Sequence, residues 1–363
     1  MGSHRGDCRA APYLKNREGW NKYVEATSDF KFVLKGRRMK RILLGFFVFL
    51  IWPNQLYAAD RVRIGYSSIS GAYTPIWVAH DAGYFAKEGL QDDIILIPSG
   101  TQLAQVTVAG EIEIGSLNGS SAIAAALQGA DLKIIGNSGN KMVFSLYVRP
   151  EIKSVEGLKG KKIGITRFGS APDISIRYAL RKYNINPDKD LTLIQLGFMA
   201  TVAAGLQGGS IEGGVVSPPT QFAIDKAGFK ELISITDMDF AFPNPALVAV
   251  GSIIRGKPDV INRFIRAYTR GIHRARNDRE FTYKSMAKYT KIQDIEVLRK
   301  AYDFYMNKVL ERAPYINMVG VQNVLDDLAK SVPAAKNAKP EQFVDLRFLD
   351  ALDKSGLLKE LYP

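Results

Sequence analysis

From Arg61 onward, short apolar runs alternate with helix-period patterns. VRIGYSSI reads as a strand entering a loop. TPIWVAHDAGYFAKEGL reads as one helix, with Thr74 as its N-cap and Pro75 in the first position. DIILIPSG is strand and loop, TQLAQVTVAG a short helix, EIEIGS a strand, SAIAAALQG a helix and LKIIG a strand. This alternation predicts βα units on a mainly parallel sheet. The same order then recurs. KKIGITRFGS is strand and loop, PDISIRYALRKYNI a helix, LTLIQLGF strand and loop, and ATVAAGLQGG a short helix. IEGGVVSPP is strand and loop, TQFAIDKAG a helix and KELISI a strand.

The two series keep one register. Gly65 and Gly164, Gly110 and Gly209, Glu113 and Glu212, Gly115 and Gly214, and Gly129 and Gly228 all stand 99 positions apart. Two lobes of one architecture are therefore expected. After Ile235 the pattern changes. FPNPALVAVGSII reads as a loop and an apolar strand, followed by helical patterns over 258–278, 294–310, 321–331 and 340–362. The strands MVFSLYV and ALVAV are the natural crossovers between lobes, and the C-terminal helices are expected to pack back onto the first lobe. The expected division is 60–146 with 245–363 as one lobe and 147–244 as the other.

Charge changes this picture little. The net charge of the 363 residues is +13, but residues 1–59 hold 11 Lys/Arg against 4 Asp/Glu, leaving 38 against 32 for the rest. That remainder has neither dense basic runs nor aromatic–basic motifs, so a nucleic-acid partner is not expected. Apolar content of 46% and charged content of 23% are ordinary for a globular chain. MKRILLGFFVFLIWPNQLYAAD, from Met39, has a basic start, an apolar stretch and a small-residue cleavage site. Residues 39–59 thus read as a secretory leader whose apolar run is short for a membrane span. Residues 1–38 read as an extension ahead of the true start. The single cysteine, Cys8, lies in that extension, so the exported chain would carry no thiol. A periplasmic location is the expectation.

Three stretches carry a family resemblance: PIWVAHDAGYFAKEGL, VAGEIEIGSLNGSSAIAAALQGADLKIIG and IKSVEGLKGKKIGITRFGS. They resemble the substrate-binding proteins of nitrate/sulfonate/taurine-type ABC importers, in a superfamily that also contains thiamine-pyrimidine-binding proteins. The resemblance covers about residues 60–350. It implies an α/β protein of the type II periplasmic-binding fold, with two lobes, two hinge strands and a ligand cleft that closes. It also implies delivery to an ABC permease and a cytoplasmic ATPase on other chains. The expectation for this chain is a monomer without a cofactor. VVSPPT stands where many relatives carry an apolar–Trp–Glu–Pro phrase, so no ligand is carried over from them.

In open parallel sheets, ligands sit beyond the carboxyl ends of strands, against helix N-termini whose N–H groups lack intrahelical partners. The 99-residue register pairs three such loops in each lobe. Ser67, Ser70 and Tyr73 of the first loop, Ser99 and Gly100 of the second, and Ser116, Asn118 and Gly119 of the third are candidate ligand contacts. From the other lobe come Arg167 as an anion clamp, Phe168 as a stacking surface, Gly169 for close backbone approach, and Ser170 and Ser217. Asn244 precedes the second crossover and completes the candidates. Simple helix capping is the competing role for the Ser and Thr residues.

An enzyme on the same fold, of the thiamine-pyrimidine synthase kind, is the alternative from another class. That family needs an active-site histidine and a cysteine-rich motif. After the leader this chain has only His80 and His273, both in helical patterns, and no cysteine. No G-x-S-x-G elbow, P-loop or metal-spaced cluster is present in the sequence. A ligand-sensing partner of a membrane receptor would share every one of these sequence features.

Overall fold

The computed structural model describes residues 59–238 and 240–363. The expected leader and the segment before it therefore fall, Ala59 apart, outside the described residues. Strands β1 (Asp60–Tyr66), β2 (Leu90–Leu96), β3 (Ile114–Leu117) and β4 (Leu132–Asn137) stand in one sheet. The chain then crosses to a second sheet of β5 (Ser145–Val148), β6 (Lys162–Ile165), β7 (Thr192–Gln195), β8 (Gly213–Val216) and β9 (Lys230–Ser234). It returns with β10 (Ala246–Val250), which enters the first sheet. The orders are β2-β1-β3-β10-β4 and β7-β6-β8-β5-β9. In each sheet the strand that arrives from across, β10 or β5, runs antiparallel to both neighbours. The mixed α/β, two-lobed architecture implied by the resemblance is the one observed.

The internal repeat has a structural basis. Gly65 of β1 pairs with Gly115 of β3, and Gly164 of β6 pairs with Gly214 of β8. A Cβ on Gly65 would lie 2.4 Å from Leu103, and one on Gly164 would lie 2.5 Å from Ile211, so both strands need glycine where the next layer presses against them. Glu113 accepts the Arg63 backbone N–H at 2.8 Å, and Glu212 accepts that of Lys162 at 2.8 Å. Each lobe thus ties its first strand to the residue just ahead of its third in the same way. The inner strands β3, β5 and β8 are buried along their whole length, hence their apolar and small-residue runs in place of alternation.

The helices depart from the sequence expectation in places. The helix predicted over 74–90 stops at Asp81, resumes at Tyr84–Lys87, and is broken by Gly83 at φ 66. Thr74 is not its cap. Its hydroxyl donates to Gly71 O at 2.6 Å, closing a 3-10 turn (Gly71–Tyr73), and Tyr73 takes the cap position. Pro258–Asn277 forms as predicted and buries Val260, Ile261, Phe264, Ile265, Tyr268 and Ile272. The pattern over 294–310 becomes a helix at Ile295–Phe304 followed by a π turn, Tyr305–Val309. The pattern over 340–362 is interrupted where Val344 bridges Ile134 of β4. A helix at Arg279–Thr290, capped by the Asp278 carboxylate, was not predicted. Its buried face carries Thr282, Tyr283, Ser285, Met286 and Thr290, so hydroxyl groups mask the apolar period.

Candidate functional site

The lobes meet over a narrow cavity of about 30 Å3. Ser67, Ser70, Tyr73, Ser99, Gly100 and Asn118 line it from the first lobe, Ser170 from the second, and Asn244 from the returning crossover. A smaller chamber of about 20 Å3 shares Ser67, Ser68, Thr166 and Met199 with it.

Helix starts build much of the wall. Gly100–Val108, Gly119–Leu127, Ala171–Lys182 and Met199–Gly208 all begin at it, contributing Gly100, Asn118, Ala171 and Met199. Four N-termini from two lobes direct partial positive charge toward one point. None of the residues on the cavity wall is a Lys, Arg, Asp or Glu. Tyr73 is neutral there, because burial pushes its phenol up to about 12 against the opposing hydrogen bond with Ser67.

Hydroxyl groups fix the wall. Ser67 and Tyr73 hydroxyls lie 2.6 Å apart, Ser99 and Thr101 2.6 Å, and Thr166 and Ser170 2.9 Å. Asn118 Nδ2 donates to Ser120 at 2.6 Å while its Oδ1 accepts from Ser121 at 3.0 Å, locking the amide orientation. Gly100 is what lets that amide in, since a Cβ there would fall 1.8 Å from Asn118 Oδ1. The Asn244 side chain makes no hydrogen bond among the described residues, although its backbone N–H donates to Gly139 O at 2.9 Å.

A second cluster clasps the lobes. Ser217 donates to Ser70 Oγ at 3.1 Å, Ser70 Oγ lies 2.7 Å from Tyr305 OH, and Tyr305 donates to Pro218 O at 2.9 Å. A single direction of donation satisfies all three: Ser217 to Ser70, Ser70 to Tyr305, Tyr305 to the carbonyl. Pro218 O also accepts the Gly71 N–H at 3.2 Å. Opposite this clasp, Ser121 Oγ lies 3.2 Å from Gly169 O.

Several candidates stand elsewhere. Ser217 belongs to the clasp and is not on the cavity wall. Ser116 is fully buried within β3, behind the wall, and its hydroxyl has no hydrogen-bond partner among the described residues. The Gly119 N–H is committed to Pro243 O at 2.8 Å and its Cα packs on Pro243, so that donor is not offered to the cavity. Arg167, Phe168 and Gly169 are exposed and off the wall. The cause is a tight turn: Ser170 Oγ donates to Arg167 O at 2.6 Å, and Gly169 at φ 73 donates its N–H to Asp173 at 2.8 Å. The turn directs Thr166 and Ser170 inward and extrudes the three residues between. Phe168 then stacks near the Arg177 guanidinium, 5.9 Å from its ring centroid. Neither the Arg167 guanidinium nor the Phe168 ring therefore stands on the cavity wall.

Val143, Phe144, Thr166, Met199 and Tyr305 were missed. Thr166 sits in a loop already singled out, and Val143–Phe144 in a crossover that must pass the cleft floor, so their positions carried a signal. Tyr305 arrives from a distant C-terminal segment with no local pattern to mark it. Neither histidine reaches the cavity: His80 pairs with Asp92 at 2.5 Å, and His273 packs edge-on to Tyr362. Among the described residues no group of three His, Cys, Asp or Glu is placed to hold a metal ion.

The profile of the family described as NMT1/THI5 like matches residues 71–280. The chain belongs to this family. Among its relatives, YtlA of Bacillus subtilis (strain 168), named as a binding protein, is 24% identical over 212 residues, covering 57% of this chain and 64% of that protein. A second Bacillus subtilis relative, named as an aliphatic sulfonates-binding protein, is 25% identical over 220 residues, covering 58% of this chain and 64% of the relative. The matched region of this NMT1/THI5-like chain thus spans a little under two thirds of either relative. Among solved structures, the alkanesulfonate-binding protein SsuA from Xanthomonas axonopodis pv. citri, bound to MOPS, superposes with a TM-score of 0.66 at 16% identity, covering 80% of this chain and 97% of that one. The desulfurization enzyme DszB shares the fold too, at a TM-score of 0.61 and 13% identity, over 81% of this chain and 100% of its own. The periplasmic-binding fold is therefore common to binding proteins and to at least one enzyme.

Proposed function

We propose that this chain is an extracytoplasmic solute-binding protein that captures a small organic anion of the sulfonate class between its lobes. It delivers that solute to an ABC importer whose permease and ATPase are separate chains. The observation that carries this reading is the convergence of four helix N-termini and a ring of hydroxyl and amide groups on one inter-lobe point that holds no fixed charge. Such a site favours a weakly basic anion with several acceptor oxygens, because backbone N–H groups and hydroxyls donate to it without the desolvation cost of a buried cation. MOPS, the compound bound to the Xanthomonas relative, carries a sulfonate group of this kind.

The site works by closure. A cavity of about 30 Å3 is far below the ~300–1,000 Å3 of ordinary ligand pockets, so entry of an organic sulfonate requires the lobes to part. The moving bodies are the lobe built on the sheet β2-β1-β3-β10-β4 and the lobe built on the sheet β7-β6-β8-β5-β9. The hydroxyl clasp and the Ser121–Gly169 contact then re-form over the ligand. The protein acts as a monomer after removal of its leader. The reading is non-catalytic, since the cavity holds no nucleophile with an adjacent base.

Calorimetric titration of the purified chain with alkanesulfonates, taurine, nitrate and aromatic carboxylates tests the proposal. Sulfonates are expected to bind stoichiometrically and to reduce the radius of gyration in solution scattering. Tighter binding of a cation or a neutral solute would refute the ligand class. Release of a product from the bound sulfonate would refute the binding-only role.

A further inference from the structure

On the hinge side of the molecule lies an open groove of about 890 Å3, distinct from the inter-lobe cavity. Its charged residues are Lys141, Arg276, Lys308, Arg312 and Lys359 against a single acid, Glu311. The larger groove of about 990 Å3, by contrast, neutralises Arg177 with Asp173 at 2.6 Å and Arg181 with Asp327 at 2.9 Å. Here the reverse holds. None of the five cations forms an ion pair among the described residues. A concave surface lined by one sign of charge focuses potential and concentrates counter-ions.

We infer that this groove is a second binding site, for a multivalent organic anion bearing phosphate or carboxylate groups. Arg276 is built into it, its Nη1 donating to Met306 O and Leu310 O at 2.8 Å each, so the guanidinium is held in place by backbone at the end of the π turn. Met306, Ile316 and Leu358 give the groove an apolar part, and Tyr315 and Tyr362 give it amphipathic rings. Its volume falls within the ~300–1,000 Å3 of small-molecule sites.

The position of the groove gives its occupant an effect. Asn140 and Lys141 belong to the crossover between lobes, where Asn140 bridges Asn244 and Lys141 bridges Ala241. Lys308 and Arg312 belong to the C-terminal segment. An anion spanning Lys141 and these two touches the hinge and its support together. Any change in crossover geometry as the lobes part then changes anion affinity, and by linkage the anion changes the closure equilibrium.

The test uses the purified full chain with inorganic pyrophosphate and citrate, at ionic strength held constant with sodium chloride. Both are expected to raise the unfolding temperature saturably. The exposed pair Lys308→Gln with Arg312→Gln should weaken the apparent affinity at least tenfold. Binding in the inter-lobe cavity would survive that double substitution, so the two sites are distinguished. In the unsubstituted protein, pyrophosphate should slow acetylation of Lys141, Lys308 and Lys359 severalfold while leaving Lys87 unchanged, a readout independent of the variant's folding. An unsaturable shift, an equal response from the double variant, or uniform protection of lysines overturns the inference. Binding to phosphatidylglycerol vesicles without a response to either free anion also overturns it, and identifies a lipid surface as the occupant.

Discussion

Tyr305→Phe isolates one hydroxyl and leaves the ring. The ring is needed, since it covers Gly71 so closely that a Cβ there would lie 2.4 Å from it. The lost hydroxyl lies 2.7 Å from Ser70 Oγ and donates to Pro218 O at 2.9 Å. Pro218 O keeps the Gly71 N–H at 3.2 Å and Ser70 Oγ still accepts from Ser217 at 3.1 Å, but the Ser70 O–H loses its acceptor. Removing a hydroxyl from a buried, still partly satisfied cluster costs about 1–3 kcal/mol in total stability. The bond to Pro218 is the part that crosses between lobes, and a net value of about 1 kcal/mol for it shifts closure by roughly fivefold. If ligand binds the closed form, its affinity falls by about that factor. Thermal unfolding and calorimetric titration with an alkanesulfonate read the two effects separately. A loss of stability with affinity unchanged would refute the clasp, because Tyr305 would then serve only the packing of the first lobe.

Gly100→Ala places a Cβ 1.8 Å from Asn118 Oδ1, so the amide must leave its pocket. Destabilisation of about 1–3 kcal/mol is expected in thermal unfolding, together with a marked loss of ligand affinity by titration. Arg167→Ala should leave affinity within about twofold of the parent, since an exposed cation off the cavity wall contributes little. A larger loss by titration would return Arg167 to the site. The His80–Asp92 pair gives a pH dependence. Its hydrogen bond to Asp92 raises the His80 pKa above the usual 6.5, outweighing the burial that lowers it, with Asp81 and Lys288 as opposed neighbours. A raised folded-state pKa means that the stabilisation is complete below the unfolded value and fades as pH rises through the folded one. The stability difference between parent and His80→Gln in chemical denaturation should therefore be larger at acidic than at alkaline pH, and a difference that grows with pH would contradict the pairing.

The repeat was legible because glycine and glutamate mark geometry that both sheets need. Gly65 and Gly164 admit Leu103 and Ile211, and Glu113 and Glu212 tie equivalent strands, so a constant register followed from constant packing. Loops at strand ends were legible as the cavity wall for the same topological reason. What sequence alone could not resolve was the direction of each side chain within a loop. In TRFGS, one tight turn decides that Thr166 and Ser170 face the cleft while Arg167 and Phe168 do not. Nor does a local pattern reveal a partner far along the chain: Pro243 taking the Gly119 N–H and Tyr305 taking Pro218 O are tertiary events. The Arg279–Thr290 helix escaped because its buried face is rich in hydroxyl groups, which an apolar-period search discounts.

The returning strand β10 also sets the order in which the molecule can mature. Every strand of the second sheet has been synthesised by Ser234, whereas the first sheet lacks its member between β3 and β4 until Ala246–Val250 emerges. The lobe begun first is thus the lobe finished last. During that interval Ile114–Leu117 and Leu132–Asn137 have no strand between them, and the helix Pro258–Asn277, whose Gly271 packs on Pro75 and Ala79, has yet to be made. Open edges of apolar strands invite pairing with other chains. A chain that has emerged only as far as residue 245 accordingly leaves those edges open to such pairing.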